Sequence, residues 1–361
     1  MPCRDLLFVS AGLDLDGGGR AAVGRLLAAA CAEHARSRAL GFEVLALGRG
    51  GGPEGTLYLG ADQRALALRL WRRQWKQRDV ALVYDLLGPA RLQAYLPAAA
   101  RAPYLIFLHG IEVWDRLGWD RKRSLGDAAL RVANSRHTVE RARRAHPDLG
   151  PVEVLPLSLE ERAPEGAVDA ALLQRLGRGF LLIVGRMASG ERYKGHDQVL
   201  EALSHLPDAR LVVTGDGDDR PRLAARAADL GLAHRVVFTG FVSEATLAEL
   251  YRRCAVFVMP SLGEGFGLVY LEAMRAGKPC VAARGSAAEE ILADGETGLL
   301  VRRDEAQELA GALRTLLASP ETAQRMGEAG HRRWRATFGA DRFQARLMPL
   351  LDLLTGTRTG G

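Results

Sequence analysis

Residues 180–195 read FLLIVGRMASGERYKG, an unbroken apolar run followed by a glycine, an arginine and a mainly polar turn. A short apolar run that ends in turn residues is typical of a strand buried on both faces. Five more such runs follow: ARLVVTGDG, RVVFTG, AVFVMPS, PCVAA and GLLV, at 209–217, 235–240, 255–261, 279–283 and 298–301. Helical segments such as 244–254 separate them, so the second half predicts a parallel α/β sheet.

The first half repeats this alternation. Its apolar runs are DLLFVS, FEVLALG, VALVYD, PYLIFLHG, LRVANS and VEVLPL, at 5–10, 42–48, 80–85, 103–110, 130–135 and 152–157. Residues 158–176 lose strand character and contain Pro164 and Gly166, which predicts a linker with a domain boundary near residue 165. We therefore expect two Rossmann-like, doubly wound parallel-sheet domains with a cleft between them, followed by helices from Asp304 to about Leu354.

Composition favours a folded protein of the cytoplasm. The 361 residues are 48% hydrophobic and 25% charged, and no run approaches the roughly 18 apolar residues of a membrane-spanning helix. We expect no export signal. The four cysteines (Cys3, Cys31, Cys254 and Cys280) lie far apart without a CxxC pair, so neither a zinc site nor a disulfide framework is expected.

Positive charge is concentrated in the first half. Residues 1–160 hold 23 Lys and Arg against 17 Asp and Glu, whereas the remainder holds 26 of each. Segment 62–79, DQRALALRLWRRQWKQRD, predicts a basic helix with two tryptophans, as peripheral binding to an anionic membrane requires. A core-packed helix with a solvated basic face explains the segment equally well. No nucleic-acid recognition motif accompanies the charge, so we expect no nucleic-acid partner.

The segment SLGEGFGLVYLEAMRAGKP, 261–279, is the first candidate binding motif. Glu264 and Glu272 flank a turn in which Gly265 and Gly267 let backbone amides approach a ligand closely. Carboxylates at these positions present acceptors to several sugar hydroxyls. The alternative is a plain helix cap with a surface glutamate.

Two cations follow the strand at 180–185. Arg186 comes directly after Gly185, and Lys194 opens the next predicted helix. Since ligands of doubly wound sheets bind beyond the carboxyl ends of the strands, two fixed cations here suit a diphosphate whose charge grows as its glycosidic bond breaks. Solvated surface cations are the alternative.

The first half offers two further candidates at strand ends. Gly17, Gly18 and Gly19 predict an amide-lined cradle, although a simple tight turn is as consistent with them. Their spacing is not GxGxxG, which disfavours a dinucleotide oxidoreductase. His109 follows another strand and is placed to hydrogen-bond a substrate hydroxyl, and Glu112 and Trp114 are candidates for an acceptor pocket.

Taken together, these motifs resemble the retaining glycosyltransferases of family 4, which share the GT-B fold. The matching pieces are GR at 185–186, KG at 194–195, GDG at 215–217, FTGFV at 238–242, PSLGEGFGL at 260–268, LEAMRAGKP at 271–279 and DGETGLLV at 294–301. The resemblance covers essentially the whole chain. It implies an N-terminal acceptor-binding domain at 1–165, a nucleotide-sugar-binding domain at 166–338 and a final helix, 339–361, crossing back to the first domain.

The resemblance also implies residue roles. Arg186 and Lys194 hold the donor diphosphate, Glu272 binds the ribose hydroxyls, Glu264 contacts the donor sugar and His109 lies near its reacting face. His109, Glu264, Arg186 and Lys194 form the implied catalytic set. The other implied donor contacts are Gly18, Gly19, Gly215, Phe241, Val242, Gly265, Phe266, Gly267 and Leu268.

The implied reaction is metal-independent transfer of a hexose with retention, from a UDP-sugar or, next, a GDP-sugar. We expect no cofactor beyond this co-substrate. The acceptor is a carbohydrate or a lipid-linked or cell-envelope glycan, with the protein at the inner face of the membrane. The chain departs from the family pattern at Ser286–Ala288 and in the GGGR loop at 17–20.

Competing hypotheses share parts of this pattern. A nucleotide-sugar 2-epimerase has the same fold and donor, and a noncatalytic sugar-binding module keeps the fold without transfer. A phosphorylase-like enzyme needs a lysine-bound pyridoxal phosphate, for which the sequence gives no context.

Overall fold

The computed structural model describes residues 3–14, 18–76 and 79–357. Within these residues the chain forms two compact units. Unit 1 runs to Glu160 and resumes at Ala340, and unit 2 comprises Glu161–Gly339. The sequence prediction put the corresponding changes near residues 165 and 338.

Unit 1 contains a parallel sheet of seven strands among its described residues, in the order β3-β2-β1-β4-β5-β6-β7. The strands are β1 Asp5–Ser10, β2 Gly41–Ala46, β3 Leu57–Tyr58, β4 Val80–Tyr84, β5 Tyr104–Leu108, β6 Leu130–Ala133 and β7 Glu153–Val154. The helices are α1 Gly18–Ser37, α2 Gln63–Lys76, α3 Leu87–Ala90, α4 Trp119–Asp127 and α5 Arg136–Ala145. Strands β4 and β5 are buried along their whole length, as helices on both faces require.

Unit 2 contains a parallel sheet of six strands, in the order β10-β9-β8-β11-β12-β13. The strands are β8 Leu181–Val184, β9 Leu211–Thr214, β10 Val236–Gly240, β11 Val256–Met259, β12 Cys280–Ala283 and β13 Gly298–Val301. Its helices are α6 Ala170–Leu176, α7 His196–Ser204, α8 Arg220–Asp229, α9 Glu244–Arg253, α10 Leu268–Arg275, α11 Ala288–Ile291, α12 Ala306–Ala318 and α13 Pro320–Phe338. The two Rossmann-like parallel sheets that the sequence predicts are confirmed.

The C-terminal helix α14, Ala340–Thr355, belongs to unit 1. Its buried residues include Phe343, Leu347, Leu351 and Leu354, spaced to form one apolar face. That face packs against α1 and β4. The Arg38 guanidinium on the segment after α1 also pairs with Asp352 at 2.8 Å.

Two local features differ from the sequence analysis. The segment 158–176, read as a linker, ends in helix α6, which Asp169 caps by accepting a hydrogen bond from the amide of Leu172. Strand β3 has only two residues and was not predicted, because no apolar run marks it.

Candidate functional site

Each sheet has a switch point between two neighbouring strands. The connections that follow these two strands run towards opposite edges of the sheet. The switch point lies between β8 and β11 in unit 2 and between β1 and β4 in unit 1. Ligands of doubly wound sheets bind beyond the strand ends at such points. Arg186 and Lys194 follow β8, and Glu264 follows β11, so these predicted site residues come from adjacent strands.

The cations after β8 are held by two carboxylates. The Lys194 ammonium lies 2.8 Å from Glu264 Oε1 and 3.6 Å from Glu191 Oε2. The other oxygen of Glu191 pairs with the Arg186 guanidinium. Four charged side chains therefore form one cluster with no net charge, which we call the ion-pair cluster. Sequence analysis assigned no role to Glu191, whose pairing depends on the shape of the loop.

Glycines let the loops of this cluster approach one another. A Cβ at Gly263 would lie 2.4 Å from the ring of Tyr193. Gly215, an implied donor contact, has φ +123°, and a Cβ there would lie 2.2 Å from the carbonyl oxygen of Gly185. Gly267 caps α10 at φ +102°. Packing alone therefore calls for glycine at these positions.

Two aspartates after β9 anchor the loop between β8 and α7. Asp218 accepts hydrogen bonds from the amide and hydroxyl of Ser189, at 2.9 and 2.6 Å. Asp219 is buried and accepts from Arg192 and Arg222, both at 2.7 Å. The hydrogen bond from Arg222 lowers the pKa of Asp219 well below its ordinary value, and the one from Arg192 acts in the same direction. The sequence analysis missed both aspartates, although GDGDD at 215–219 places them directly after a strand.

Glu272 lies on α10, and its Oε2 accepts a hydrogen bond of 2.7 Å from the hydroxyl of Tyr251. Burial raises the pKa of Glu272, while the bond from Tyr251 acts in the opposite direction. Phe266 is buried and packs edge-to-face on Phe338, so this implied donor contact is available to a ligand only through its backbone. Gly265 and Leu268 are half-buried on either side of it.

The segment after β10 contains a strongly exposed member of the implied donor contacts. Phe241 is 76% exposed. With Val242, Thr239 and residues of α6, it lines a cavity of about 600 Å³.

The loop with the Ser-Ala-Ala departure is closed by its own hydrogen bonds. The amide of Gly285 donates to Glu289 Oε1 at 2.7 Å, and Ser286 Oγ donates to the carbonyl of Ala283 at 2.7 Å.

In unit 1 the switch point holds a buried carboxyl, Asp85, at the end of β4. Its oxygens accept hydrogen bonds from Ser10 Oγ at 2.5 Å and from the amide of Ala11 at 3.1 Å. Burial raises the pKa of Asp85 to about 6, against the opposing effect of these hydrogen bonds. Sequence analysis did not single it out, although it ends the run VALVYD.

His109 is positioned by this strand end. Its Nε2 lies 2.6 Å from the carbonyl oxygen of Asp85. Since a carbonyl only accepts, Nε2 donates, and Nδ1 is the acceptor of the neutral ring. The backbone carbonyl of His109 accepts a hydrogen bond of 2.8 Å from the side-chain amide of Asn134.

The two predicted acceptor residues are engaged within unit 1. Glu112 Oε1 accepts a hydrogen bond of 2.5 Å from the amide of His109. Trp114 is half-buried, with the guanidinium of Arg141 3.9 Å from the centre of its ring. Their proposed contact with an acceptor stays a prediction.

The glycine-rich loop is described only in part, because Gly17 lies outside the described residues. Gly18 and Gly19 open α1, where Gly18 has φ +69°. Arg25, on α1, donates hydrogen bonds to the carbonyls of Leu13 and Asp14, which precede the loop. It also forms a two-bond pair with Glu160.

Helix α2 carries the exposed basic face that the sequence predicts, apart from Gln77 and Arg78, which the structure does not describe. Leu66, Ala67, Leu70 and Gln74 are buried. Its exposed residues include Arg64, Leu68, Arg69, Arg72, Trp75 and Lys76. Trp75 is 67% exposed. We call these six residues the α2 face.

Across the described helices, none is both long and apolar enough to cross a membrane.

Within residues 3–14, 18–76 and 79–357, no group of three or more His, Cys, Asp or Glu side chains is arranged to hold a metal ion.

Comparison with known proteins agrees with this architecture. Residues 169–333 match the family described as Glycosyl transferases group 1. A GDP-mannose-dependent alpha-(1-6)-phosphatidylinositol monomannoside mannosyltransferase of Mycolicibacterium smegmatis is 34% identical over 303 residues, covering 78% of each chain. Anabaena HepE, solved with UDP, has a TM-score of 0.76 at 20% identity and covers 97% of this chain and 100% of its own. Sucrose-phosphate synthase from Thermosynechococcus elongatus has a TM-score of 0.78 at 21% identity, covering 98% and 100%.

The structural neighbours, at these identities, speak for the fold alone. Two Rossmann-like domains of this topology form the GT-B fold. With the sequence matches, the assignment becomes specific: the chain belongs to glycosyltransferase family 4, and its activity is glycosyl transfer.

Proposed function

We propose that this enzyme transfers a hexose from a nucleotide-diphosphate sugar to an acceptor hydroxyl with retention of anomeric configuration and without a metal ion. The observation that carries the proposal is the ion-pair cluster. Its two cations, Arg186 and Lys194, follow β8 at the switch point, and Lys194 lies 2.8 Å from Glu264. A diphosphate bound by these cations therefore lies beside a carboxylate that can accept hydrogen bonds from sugar hydroxyls.

The cations supply the electrostatic part of the reaction. As the bond between the anomeric carbon and the diphosphate oxygen breaks, negative charge accumulates on that oxygen. Fixed Arg and Lys side chains stabilise this charge more strongly than water does, because they need no reorganisation. The acceptor oxygen bonds to the same face of the anomeric carbon, and its proton passes to the departing diphosphate. No metal ion is required by this scheme.

Glu272 and Glu264 divide the remaining contacts. Glu264 accepts hydrogen bonds from the hydroxyls of the donor sugar. Glu272 is oriented by Tyr251 and accepts hydrogen bonds from the ribose hydroxyls. The backbone of residues 240–242 flanks the base beside the exposed Phe241. In unit 1, His109 presents Nδ1 as an acceptor for a hydroxyl of the donor sugar or of the acceptor.

GDP-mannose is the donor we propose first. Sequence analysis ranked UDP-sugars ahead of GDP-sugars. The relative from Mycolicibacterium smegmatis is 34% identical and is GDP-mannose-dependent by name, which reverses that order.

We further propose a lipid-linked acceptor and peripheral contact with the inner face of the cell membrane. The same relative acts, by name, on a phosphatidylinositol monomannoside. The α2 face combines four basic residues with none of opposite charge and adds an exposed tryptophan, the combination that anionic lipid surfaces attract.

The first test is thermal stabilisation by GDP, UDP, ADP and dTDP at millimolar concentration in EDTA. A ligand that binds only the folded state raises the melting temperature, and at 100 times its Kd it contributes about 2.7 kcal/mol. We expect GDP to give the largest shift. No shift with any nucleotide would contradict the donor site. Incubation with GDP-mannose and acceptor then separates transfer from epimerisation, since an epimerase converts the donor without acceptor.

A further inference from the structure

Glu191 occupies the space between the two cations proposed to hold the donor diphosphate. One carboxylate oxygen pairs with Arg186, and the other lies 3.6 Å from the Lys194 ammonium. The side chains of Glu191 and Lys194 are 16% and 14% exposed, so the contact lies largely out of water. We propose that Glu191 is an internal counter-ion that occupies the diphosphate position and that the donor must displace.

Charge balance supports this inference. Arg186 and Lys194 contribute two positive charges, and Glu191 and Glu264 contribute two negative charges. A diphosphate entering this cluster meets no net attraction until one carboxylate leaves. Glu264 is required beside the donor sugar, whereas Glu191 contacts both cations, as the two phosphates would.

The contacts of Glu191 are suited to exchange. Among the described residues, its Oε2 is buried without a hydrogen-bond partner, and the ammonium at 3.6 Å lies beyond hydrogen-bond distance. A buried charged oxygen without a hydrogen bond is held poorly. Glu264, in contrast, makes a bond of 2.8 Å to the same ammonium.

Displacement requires only the side chain to turn. Ser189 and Arg192, on either side of Glu191, are tied to Asp218 and Asp219. Glu191 itself interrupts the 3-10 turn Ser189–Lys194, with φ −118° and ψ 24°. Anchors on both sides keep the loop in place while the carboxylate turns away from the two cations.

The inference rests on the proposed donor site and predicts an unusual gain of affinity. Glu191→Gln keeps the size of the side chain and removes its charge. By calorimetry, GDP should bind the variant at least about tenfold more tightly than wild type, equivalent to about 1.4 kcal/mol. Guanosine, which lacks phosphates, should bind both proteins equally. Because GDP is also the proposed product, its inhibition constant should fall by the same factor.

Matched controls separate the two levels of the proposal. Glu321→Gln removes an exposed carboxylate of α13 and changes the net charge equally, so it should leave GDP affinity unchanged. If wild type binds GDP and Lys194→Ala abolishes binding, but Glu191→Gln binds GDP equally or more weakly, Glu191 orients the cations and only this inference is overturned. If GDP and UDP bind neither wild type nor Glu191→Gln, the donor site and the counter-ion role both fall.

Discussion

The two switch points share a topology and differ in chemistry. In unit 2 the strand ends carry four partly accessible charges joined as ion pairs, the ion-pair cluster. In unit 1 the corresponding place holds one buried carboxyl, Asp85, whose partners are a hydroxyl and an amide, while the backbone carbonyl of Asp85 accepts a hydrogen bond from His109. Parallel sheets of the same strand order therefore fix where a ligand binds, while the loop residues decide whether the site suits charge or hydroxyls.

The largest effect should come from removing a cation from the charged switch point. We expect Lys194→Ala to lower turnover by about 10²- to 10³-fold, roughly the effect of losing one preorganised donor to a developing charge. Steady-state kinetics with donor and soluble acceptor measure it, and circular dichroism checks the fold. Lys122→Ala removes an exposed lysine of unit 1 and should match wild type in the same assay. Wild-type kinetics in Lys194→Ala would contradict the assignment of Lys194 to the donor diphosphate.

Stability against pH should separate the two switch points by sign. Folding raises the pKa of Asp85 to about 6, so the native state keeps a proton that the unfolded chain releases between about pH 4 and 6. Wild type then loses stability over that window, on the order of 2–3 kcal/mol, and Asp85→Asn should not.

Asp219 has a lowered pKa. Its contribution to the free energy of unfolding is therefore present above the unfolded pKa of about 4 and is lost as the pH falls further. Urea unfolding from pH 3 to 7 measures both. The stability advantage of wild type over Asp85→Asn should shrink as the pH rises, whereas its advantage over Asp219→Asn should grow. Parallel curves for the two variants would contradict the contrast.

The smallest expected effect concerns the charge excess of unit 1. Arg72→Gln on the α2 face should weaken sedimentation with phosphatidylglycerol vesicles about fivefold, since one basic residue near an anionic surface contributes about 1 kcal/mol. Arg335→Gln changes an exposed arginine of unit 2 and should have no effect. Equal losses in both variants would point to general charge attraction instead of a defined face.

The central strands were predictable because their apolar runs are buried along the whole strand, as in β4, β5, β11 and β12. The two-residue strand β3 and helix α6 lacked such runs, so the pattern did not mark them. The rule that ligands bind beyond the carboxyl ends of strands also selects Arg186, Lys194, Glu264 and His109 from the sequence.

The contacts of those residues were less predictable. Glu191 lies in the segment 180–195, but its position between two cations depends on a break in a 3-10 turn. No residue type in the segment signals that break. Asp85 follows a strand as clearly as His109 does and was missed because a lone aspartate there looks like a turn residue. Gly215 was assigned to a ligand, yet a Cβ there would lie 2.2 Å from a backbone carbonyl oxygen.

The return of α14 to unit 1 sets an order of events during synthesis. The apolar face that covers α1 and β4 leaves the ribosome only after all of unit 2, whose residues are continuous in sequence. Domains generally fold as units once their residues are available. Unit 2 can therefore complete its fold first although it begins later in the sequence. Unit 1 keeps part of its apolar surface uncovered until helix α14 has been synthesised.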